Sequence, residues 1–365
     1  MLFVTAFQDV TDPRQCNSQH DLTELLFIAL SAILCGAKTC TEMVQFGQSK
    51  LDLLREVIPL EKGIPSHDTF SRVLRLLDPV ELAAGIARFM AAFGAEVGLS
   101  APKGVVAVDG KSLRGAYDKG CAHMPKLVAT VYACDTFMTL SQAVAERGGE
   151  RAAAIAALKL LSLKGCVVTG DALHCNQPMT QAVRDAGADY ALCIKANQSK
   201  LMIEATTALD VAGPKTPSYE TGDHAHGREE VRYAIVVPFD ENPGKNPLVD
   251  LCAVGRIEAW RTIDGKTTHK VRQYALSRMM TPKELMETVR DHWKIENNLH
   301  WTLDVRFRED DARNRRDHGP ANLAALRRIA LNIYRAHPAK ASLNIKMKRA
   351  AWEPRFLFEL LTHMR

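Results

Sequence analysis

The chain has 365 residues, 47% of them hydrophobic and 24% charged, with a formal net charge of +5. These are ordinary globular values for a chain long enough for two or three domains, and they exclude disorder, collagen and coiled coil as the dominant class. The charge is uneven: from Thr281 onward there are 17 Lys+Arg against 11 Asp+Glu, while the rest of the chain holds 30 against 31, so the last segment offers a basic surface to a polyanion or simply to water.

Residues 1–98 read as a helical domain. Asp21 precedes a long apolar stretch, as an N-cap would. The longest apolar run, Leu25–Ala37, has 13 residues; a bilayer span needs about 20, so this is a buried helix. Ile64-Pro65-Ser66 interrupts the chain before a segment with Phe70, Val73, Leu74 and Leu77 on one helical face. Asp78-Pro79 opens another helix, with Pro in its first turn. Such short helices suit a small DNA-binding head or a packing subdomain equally. Asp9 and Asp12 stand where a secretory signal would be basic. Nine cysteines without a CxxC pair fit a reducing cytoplasm better than a disulfide framework or a zinc ribbon.

Ser100-Ala101-Pro102-Lys103-Gly104 marks a boundary, and a second domain over 99–365 starts with strands. Val105–Val108, Leu127–Cys134 and Met138–Val144 precede a helix at Ala152–Leu161, a strand at Cys166–Thr169, a helix at Pro178–Ala186 and a strand at Tyr190–Lys195. Short turns predict antiparallel neighbours first, and the helical crossovers predict parallel ones later. The result is an α/β chain with a mixed sheet flanked by helices. Residues 213–278, with strands at Glu230–Val237 and Leu248–Ile257, read as a β-rich insertion. Pro282 starts a helix running to about Leu303, and Pro320 another to about Ala336, within a basic helical part over 281–365.

Asp109 closes the apolar run Val105–Val108, and Asp171 closes Val167–Gly170. Carboxylates are poor strand formers and costly to bury unpaired. One such Asp is most simply a turn cap; two in one sheet need another explanation. On the helix from Pro282, at about 100° per residue, Leu285, Val289, Leu299 and Leu303 form a stripe with Glu296 in its middle. His292 and His300 flank it. A Glu on that stripe needs a buried Arg or a metal ion. Three carboxylates from two strands and a helix can hold two Mg²⁺ or Mn²⁺ ions about 4 Å apart, the arrangement that promotes phosphodiester displacement. Hard oxygen ligands suit these ions. The neighbouring histidines leave zinc a weaker alternative, without an HExxH motif.

Several blocks then carry a resemblance. They are Val108-Asp109-Gly110-Lys111-Ser112-Leu113-Arg114-Gly115, Thr169-Gly170-Asp171-Ala172 with Gln177, and Ile194-Lys195-Ala196-Asn197-Gln198. His226-Gly227-Arg228, His292-Trp293-Lys294-Ile295-Glu296-Asn297 and Leu299-His300-Trp301 with Leu303-Asp304-Val305 follow. In kind and order they resemble the DDE transposases of bacterial insertion sequences, most closely the H-repeat-associated branch, from about Asp21 to Trp352. The resemblance implies an RNase H-like catalytic domain with a β-rich insertion before the last carboxylate. It implies Asp109, Asp171 and Glu296 as catalytic, metal-binding residues with two Mg²⁺ or Mn²⁺ ions. Double-stranded DNA, both element ends and target, is the implied partner of a homodimer working in the bacterial cytoplasm at the nucleoid, with no membrane. The implied reaction is cleavage at the element ends and transfer of the 3′-hydroxyl into target DNA. A nuclease that cleaves without joining and a catalytically silent DNA-binding relic are the rivals. Arg147-Gly148-Gly149-Glu150 replaces the branch's Lys-Ser-Asn-Glu, and Val289 and His292 stand where the wider superfamily has a Tyr and an Arg.

Other residues are candidates for DNA contact. Lys111 and Arg114 could neutralise phosphates or belong to a solvated loop. Lys195, Asn197, His292, Lys294, Asn297 and His300 lie in the matching blocks. Arg228, Glu230 and Arg232 alternate and so share one strand face. Arg313, Arg315, Arg316, Arg327 and Arg328 carry the basic excess and are expected to grip phosphates. Asp304, Glu309, Asp310 and Asp311 compete for the third ligand position, but Glu296 is preferred as core-facing. Trp293 and Trp301 are expected in the core rather than stacked on bases.

Overall fold

The computed structural model describes residues 2–14, 18–98, 102–116, 126–145, 149–213, 215–225, 227–239, 248–362 and 364. Ser100 and Ala101 of the expected boundary, Arg147 and Gly148 of the departing loop, and His226 lie outside them.

Six helices open the chain: α1 (Leu2–Phe7), α2 (Leu22–Leu34), α3 (Cys40–Ser49), α4 (Leu51–Arg55), α5 (His67–Leu76) and α6 (Pro79–Glu96). Their starts follow the expected caps. Asp21 accepts from the N–H groups of Thr23 and Glu24 at 2.7 and 3.0 Å. Asp78 accepts from Val80 at 2.7 Å, ahead of Pro79. Caps of this kind contribute about 1 kcal/mol each. Among the described residues no helix is long and apolar enough to cross a membrane. The apolar run lies instead in α2, where every residue from Leu25 to Leu34 is buried.

Next come β1 (Val105–Ser112), β2 (Leu127–Ala133), β3 (Met138–Ala145), α7 (Gly149–Leu158), β4 (Val167–Gly170), α8 (Gln177–Asp185) and β5 (Asp189–Ile194). Their spatial order is β3-β2-β1-β4-β5. β1–β2 and β2–β3 pair antiparallel, β1–β4 and β4–β5 parallel. This is the mixed sheet expected of an RNase H-like fold. The inner strands are apolar because both faces are covered. Val106, Val108 and Val168 pack against α7 and α8, and Val105 and Ala107 face the helical core on the other side.

After α9 (Ser199–Asp210), the strands β6 (Ser218–Ala225), β7 (Arg228–Pro238), β8 (Ala253–Ile263) and β9 (Lys266–Leu276) form an antiparallel meander. β9 pairs with β5, so the insertion extends the same sheet to nine strands. The strand expected from Leu248 starts only at Ala253, because Asp250 takes a left-handed φ of 56° in the preceding turn. Asp264 and Gly265 turn β8 into β9 with φ of 49° and 74°, as a tight hairpin turn requires.

The chain ends in α10 (Pro282–His292), a π-helical turn (Ile295–His300), α11 (Trp301–Val305), α12 (Gly319–Ala336), α13 (Leu343–Trp352) and α14 (Pro354–Thr362). The all-round burial of α2 depends on these last helices. One core unites Phe27 and Leu30 of α2, Phe89 of α6, Leu326 and Ile333 of α12, and Leu357 of α14. Asn322 of α12 donates to the carbonyls of Leu74 and Leu77, both at 2.9 Å, satisfying the end of α5. The Phe3 N–H donates to the Met364 carbonyl at 3.1 Å.

Candidate active site

Val108 of β1 lies opposite Gly170 of β4 in the parallel register. The next residues, Asp109 and Asp171, therefore emerge side by side where β4 stops. β1 itself runs on to Ser112, paired with β2 alone, so Asp109 sits within the strand rather than at its end. Alternation puts its side chain on the face of Ala107, against which the π-helical turn packs. Two histidines face the sheet from either end of that turn. His292 Nδ1 is 3.0 Å from Thr169 Oγ1, next to Gly170. His300 Nδ1 is 3.6 Å from Asp109 Oδ2. Glu296 lies midway between these anchors.

Glu296 is exposed, and Ile295 and Leu299 take the buried positions. The expected core-facing placement of Glu296 is thus corrected. A regular helical wheel misses the wider π-helical turn, which shifts the phase of the residues after Trp293; such turns recur at functional sites. The same edge, Ile295–Leu299–Leu303, leaves Trp293 and Trp301 40% and 52% exposed rather than in the core. The Arg272 guanidinium lies 5.6 Å from the Trp293 ring centroid and that of Arg306 5.7 Å from Trp301.

Burial is the main cause of a raised Asp109 pKa of about 7. The Gly110 N–H opposes the shift, but Glu150, Glu296 and Asp171 add their negative fields. The nearby histidines do not compensate. Burial holds His292 down at about 4 and, with Arg328 and Lys111 nearby, His300 at about 3, so both are neutral at pH 7. Asp171 is more open, and its Oδ1 accepts from the Leu173 N–H at 2.9 Å. Asn197 and Gln198 hold its loop by donating to the carbonyls of Ala172 and Cys175 at 2.7 and 2.8 Å. Among the described residues, no group of three or more His, Cys, Asp or Glu side chains is arranged as a ready metal cage. The donor chemistry nonetheless fits a hard divalent cation: the crowded groups are oxygen donors, and their charge is uncompensated.

Sequence reasoning misses two members of this neighbourhood, Glu150 and His174. The helix expected from Ala152 starts at Gly149, which brings Glu150 into its first turn. The signals available were the glycines beside the two Asp residues, Gly110 and Gly170, against which these side chains pack.

The basic candidates separate into four settings. Arg228, Glu230, Arg232 and Asn297 line one groove of about 560 Å³, together with Arg261, Lys270, Arg272, Arg290 and Trp293. It runs from the insertion strands to the helix that carries Glu296. Arg114, Arg313 and Arg315 line a second cleft of about 990 Å³, and Arg316 is exposed beside it. Lys195 and Asn197 are exposed beside the Asp171 loop, and Lys294 pairs with Asp291 at 2.8 Å. Lys111 is different. It is buried, with Nζ 2.7 Å from Asp304 and 2.9 Å from Asp310, so its charge is not presented to a phosphate. Arg327 and Arg328 are also buried, and Arg328 lies 3.1 Å from the fully buried Glu309. The structure thus places these three cations inside the fold, Arg327 at the wall of the second cleft, rather than on the open surface expected of them. The acidic residues after Glu296 neutralise internal cations here, and Asp311 pairs with Arg308 at 2.6 Å.

Comparison with known proteins agrees with this architecture. The family profile described as Transposase DDE domain matches residues 100–333, and the one described as DDE_Tnp_1-associated matches residues 4–90. The chain is 31% identical to the "H repeat-associated putative transposase YhhI" of Escherichia coli strain K12, over 94% of this chain and 93% of that protein. It is 30% identical to "Putative protein YbfL" of the same strain, over 96% and 95%. Similarity that spans both ends of the chain and the sheet between them settles its kinship: the chain belongs to the DDE transposases, in their H-repeat-associated branch.

Proposed function

We propose that this chain is an active DNA transposase that cleaves at the ends of an insertion element and joins the 3′-hydroxyl to target DNA. Asp109, Asp171 and Glu296 serve as ligands for two Mg²⁺ or Mn²⁺ ions. The observation that carries the reading is the crowding where Asp109, within β1, lies beside the end of β4. Asp109 sits among Asp171, Glu296 and Glu150, and among the described residues no cation offsets their fields at its carboxyl. When bound, the ions supply activation of the attacking oxygen and stabilisation of the leaving one.

The chain's own residues prepare that chemistry. His292 ties the start of the π-helical turn to Thr169 of β4, and His300 at its end lies beside Asp109 of β1, so Glu296 is presented from a braced helix. Asn197 and Gln198 fix the loop that carries Asp171. The groove between insertion and helix, with Arg228, Arg232 and Arg272, receives the phosphate backbone, and Trp293 and Asn297 lie at its active-site side. Arg114, Arg313, Arg315 and Arg316 extend the backbone grip. The helices before residue 98, including α5, read end sequence, and the working form is a homodimer on DNA.

Asp171→Asn tests the assignment. It removes ligand charge and leaves the phosphate-gripping cations in place. Cleavage of inverted-repeat DNA in Mg²⁺ is expected to fall by about 10³-fold or more, the scale of losing a group that acts in the transition state. Binding of the same DNA is expected to stay within about twofold of the parent. Equal cleavage by mutant and parent would refute the site. Cleavage by the parent without joining would make the protein a nuclease, and no cleavage at all would make it a DNA-binding relic.

A further inference from the structure

We propose that Glu150 is a fourth carboxylate of this site, a ligand to the divalent cation held by Asp109 and Asp171, and that His174 is the positioning residue behind it. The inference rests on the metal-dependent reading above. Glu150 stands in the first turn of α7, on the sheet face opposite the Asp109 side chain. It reaches the strand only because residue 110 has no side chain: a Cβ there would lie 2.4 Å from the Glu150 carboxyl carbon. Gly170 makes the equivalent space for His174, since a Cβ there would lie 3.0 Å from His174 Cβ and 3.2 Å from its Cδ2. The glycine after one aspartate and the glycine before the other thus leave adjacent gaps in the sheet, filled by a carboxylate and an imidazole.

His174 is the second observation. It is fully buried, and among the described residues neither ring nitrogen has a hydrogen-bond partner. Burying such groups without partners is unfavourable. Nε2 points between Glu150 Oε1, at 3.4 Å, and Asp171 Oδ1, at 3.9 Å. One imidazole nitrogen therefore abuts a carboxylate from each side of the sheet end. A small movement of Glu150 that completes this bond also holds its other oxygen toward the cation. An imidazole that orients a ligating carboxylate is an ordinary outer-sphere arrangement for metal sites.

The test uses the full-length protein without DNA and Mn²⁺ as the probe, with free ion followed by electron paramagnetic resonance. Glu150→Gln is expected to weaken Mn²⁺ binding at least about tenfold, and His174→Phe to weaken it several-fold, within the range for outer-sphere changes. Glu287→Gln, far out on α10, is expected to leave it unchanged. Loss of charge alone weakens cation binding, so Glu150→Cys discriminates. A thiolate in a ligand position gains Cd²⁺ affinity and a new charge-transfer absorption over the parent, because soft sulfur prefers the softer ion; a thiol that is merely nearby does not. If Glu150→Gln fails to fold in EDTA, the Cd²⁺ result decides. A parental Mn²⁺ isotherm for Glu150→Gln, or no Cd²⁺ signal for Glu150→Cys, overturns the proposal while loss of binding in Asp171→Asn keeps the functional reading. If Asp171→Asn also binds like the parent, the metal-dependent reading itself falls.

Discussion

Asp109 and Lys111 are two residues apart on β1 and share one face of the strand, yet their charges are handled in opposite ways. Lys111 is enclosed by Asp304 and Asp310, with Glu309 at 4.0 Å, and Glu309 in turn holds Arg328. That group is electrically closed. Asp109 is enclosed by like charges and neutral histidines, and its carboxyl is pushed up to about 7. That group is electrically open. The contrast teaches how to separate structure from chemistry when both are built from the same residue types. Opposite charges that satisfy one another inside the fold hold it together, and like charges left facing one another await a cation from outside.

The largest effect expected from this contrast is at Glu309. Glu309→Ala strips a buried anion from Arg328, Arg327 and Lys111 together, and breaking such a pair costs about 3–5 kcal/mol. Urea unfolding should show a matching fall in midpoint with little change in slope. A parental midpoint would mean that the network is not closed. The open group should respond with the opposite sign. In EDTA, Asp109→Asn is expected to raise stability at pH 8 by on the order of 1–3 kcal/mol. The folded carboxyl titrates near 7 and the unfolded one near 4, so the folded state holds a proton that the unfolded chain has already released. The contribution of Asp109 to stability should therefore fall as pH rises between about 4 and 7, opposite in sign to that of His292 and His300, so it is read from the gap between mutant and parent, which should close near pH 4. A gap between mutant and parent that does not change with pH would show that Asp109 is not crowded.

The smallest effects lie at the surface. Removing Arg313, Arg315 and Arg316 should flatten the slope of log affinity against log salt by about 0.9 for each phosphate that is no longer neutralised. Affinity should fall alike on element-end and random DNA, because phosphate contacts position without specifying. Replacing Arg327 or Arg328 instead should lower the unfolding midpoint before any salt dependence can be read. An unchanged slope in the surface triple mutant would return DNA gripping to the groove lined by Arg228 and Arg272.

The sheet and its two aspartates were legible because strands buried on both faces must be apolar runs, and a carboxylate ending such a run stands out. The caps at Asp21 and Asp78 were legible for equally local reasons. What escaped depended on context. The π-helical turn puts Glu296 in the open and Ile295 in the core, and no regular periodicity announces it. Lys111 and Arg328 look like surface cations until Asp304 and Glu309, about 20 to 200 residues away in sequence, fold onto them. Glu150 was hidden by a helix start three residues earlier than expected, and its glycine gap is visible only once β1 and α7 are together.

The contact between Phe3 and Met364 has a consequence for how the protein is made. A ribosome delivers α2, with an almost wholly apolar surface, well before α12 and α14, which form part of its cover. The first hundred residues therefore lack much of their native interior until α12 and α14 have been made, unlike a chain that folds unit by unit from its N-terminus. A message cut short before α12 yields no free-standing DNA-binding fragment but a nascent chain with α2 uncovered, a substrate for chaperones and proteases.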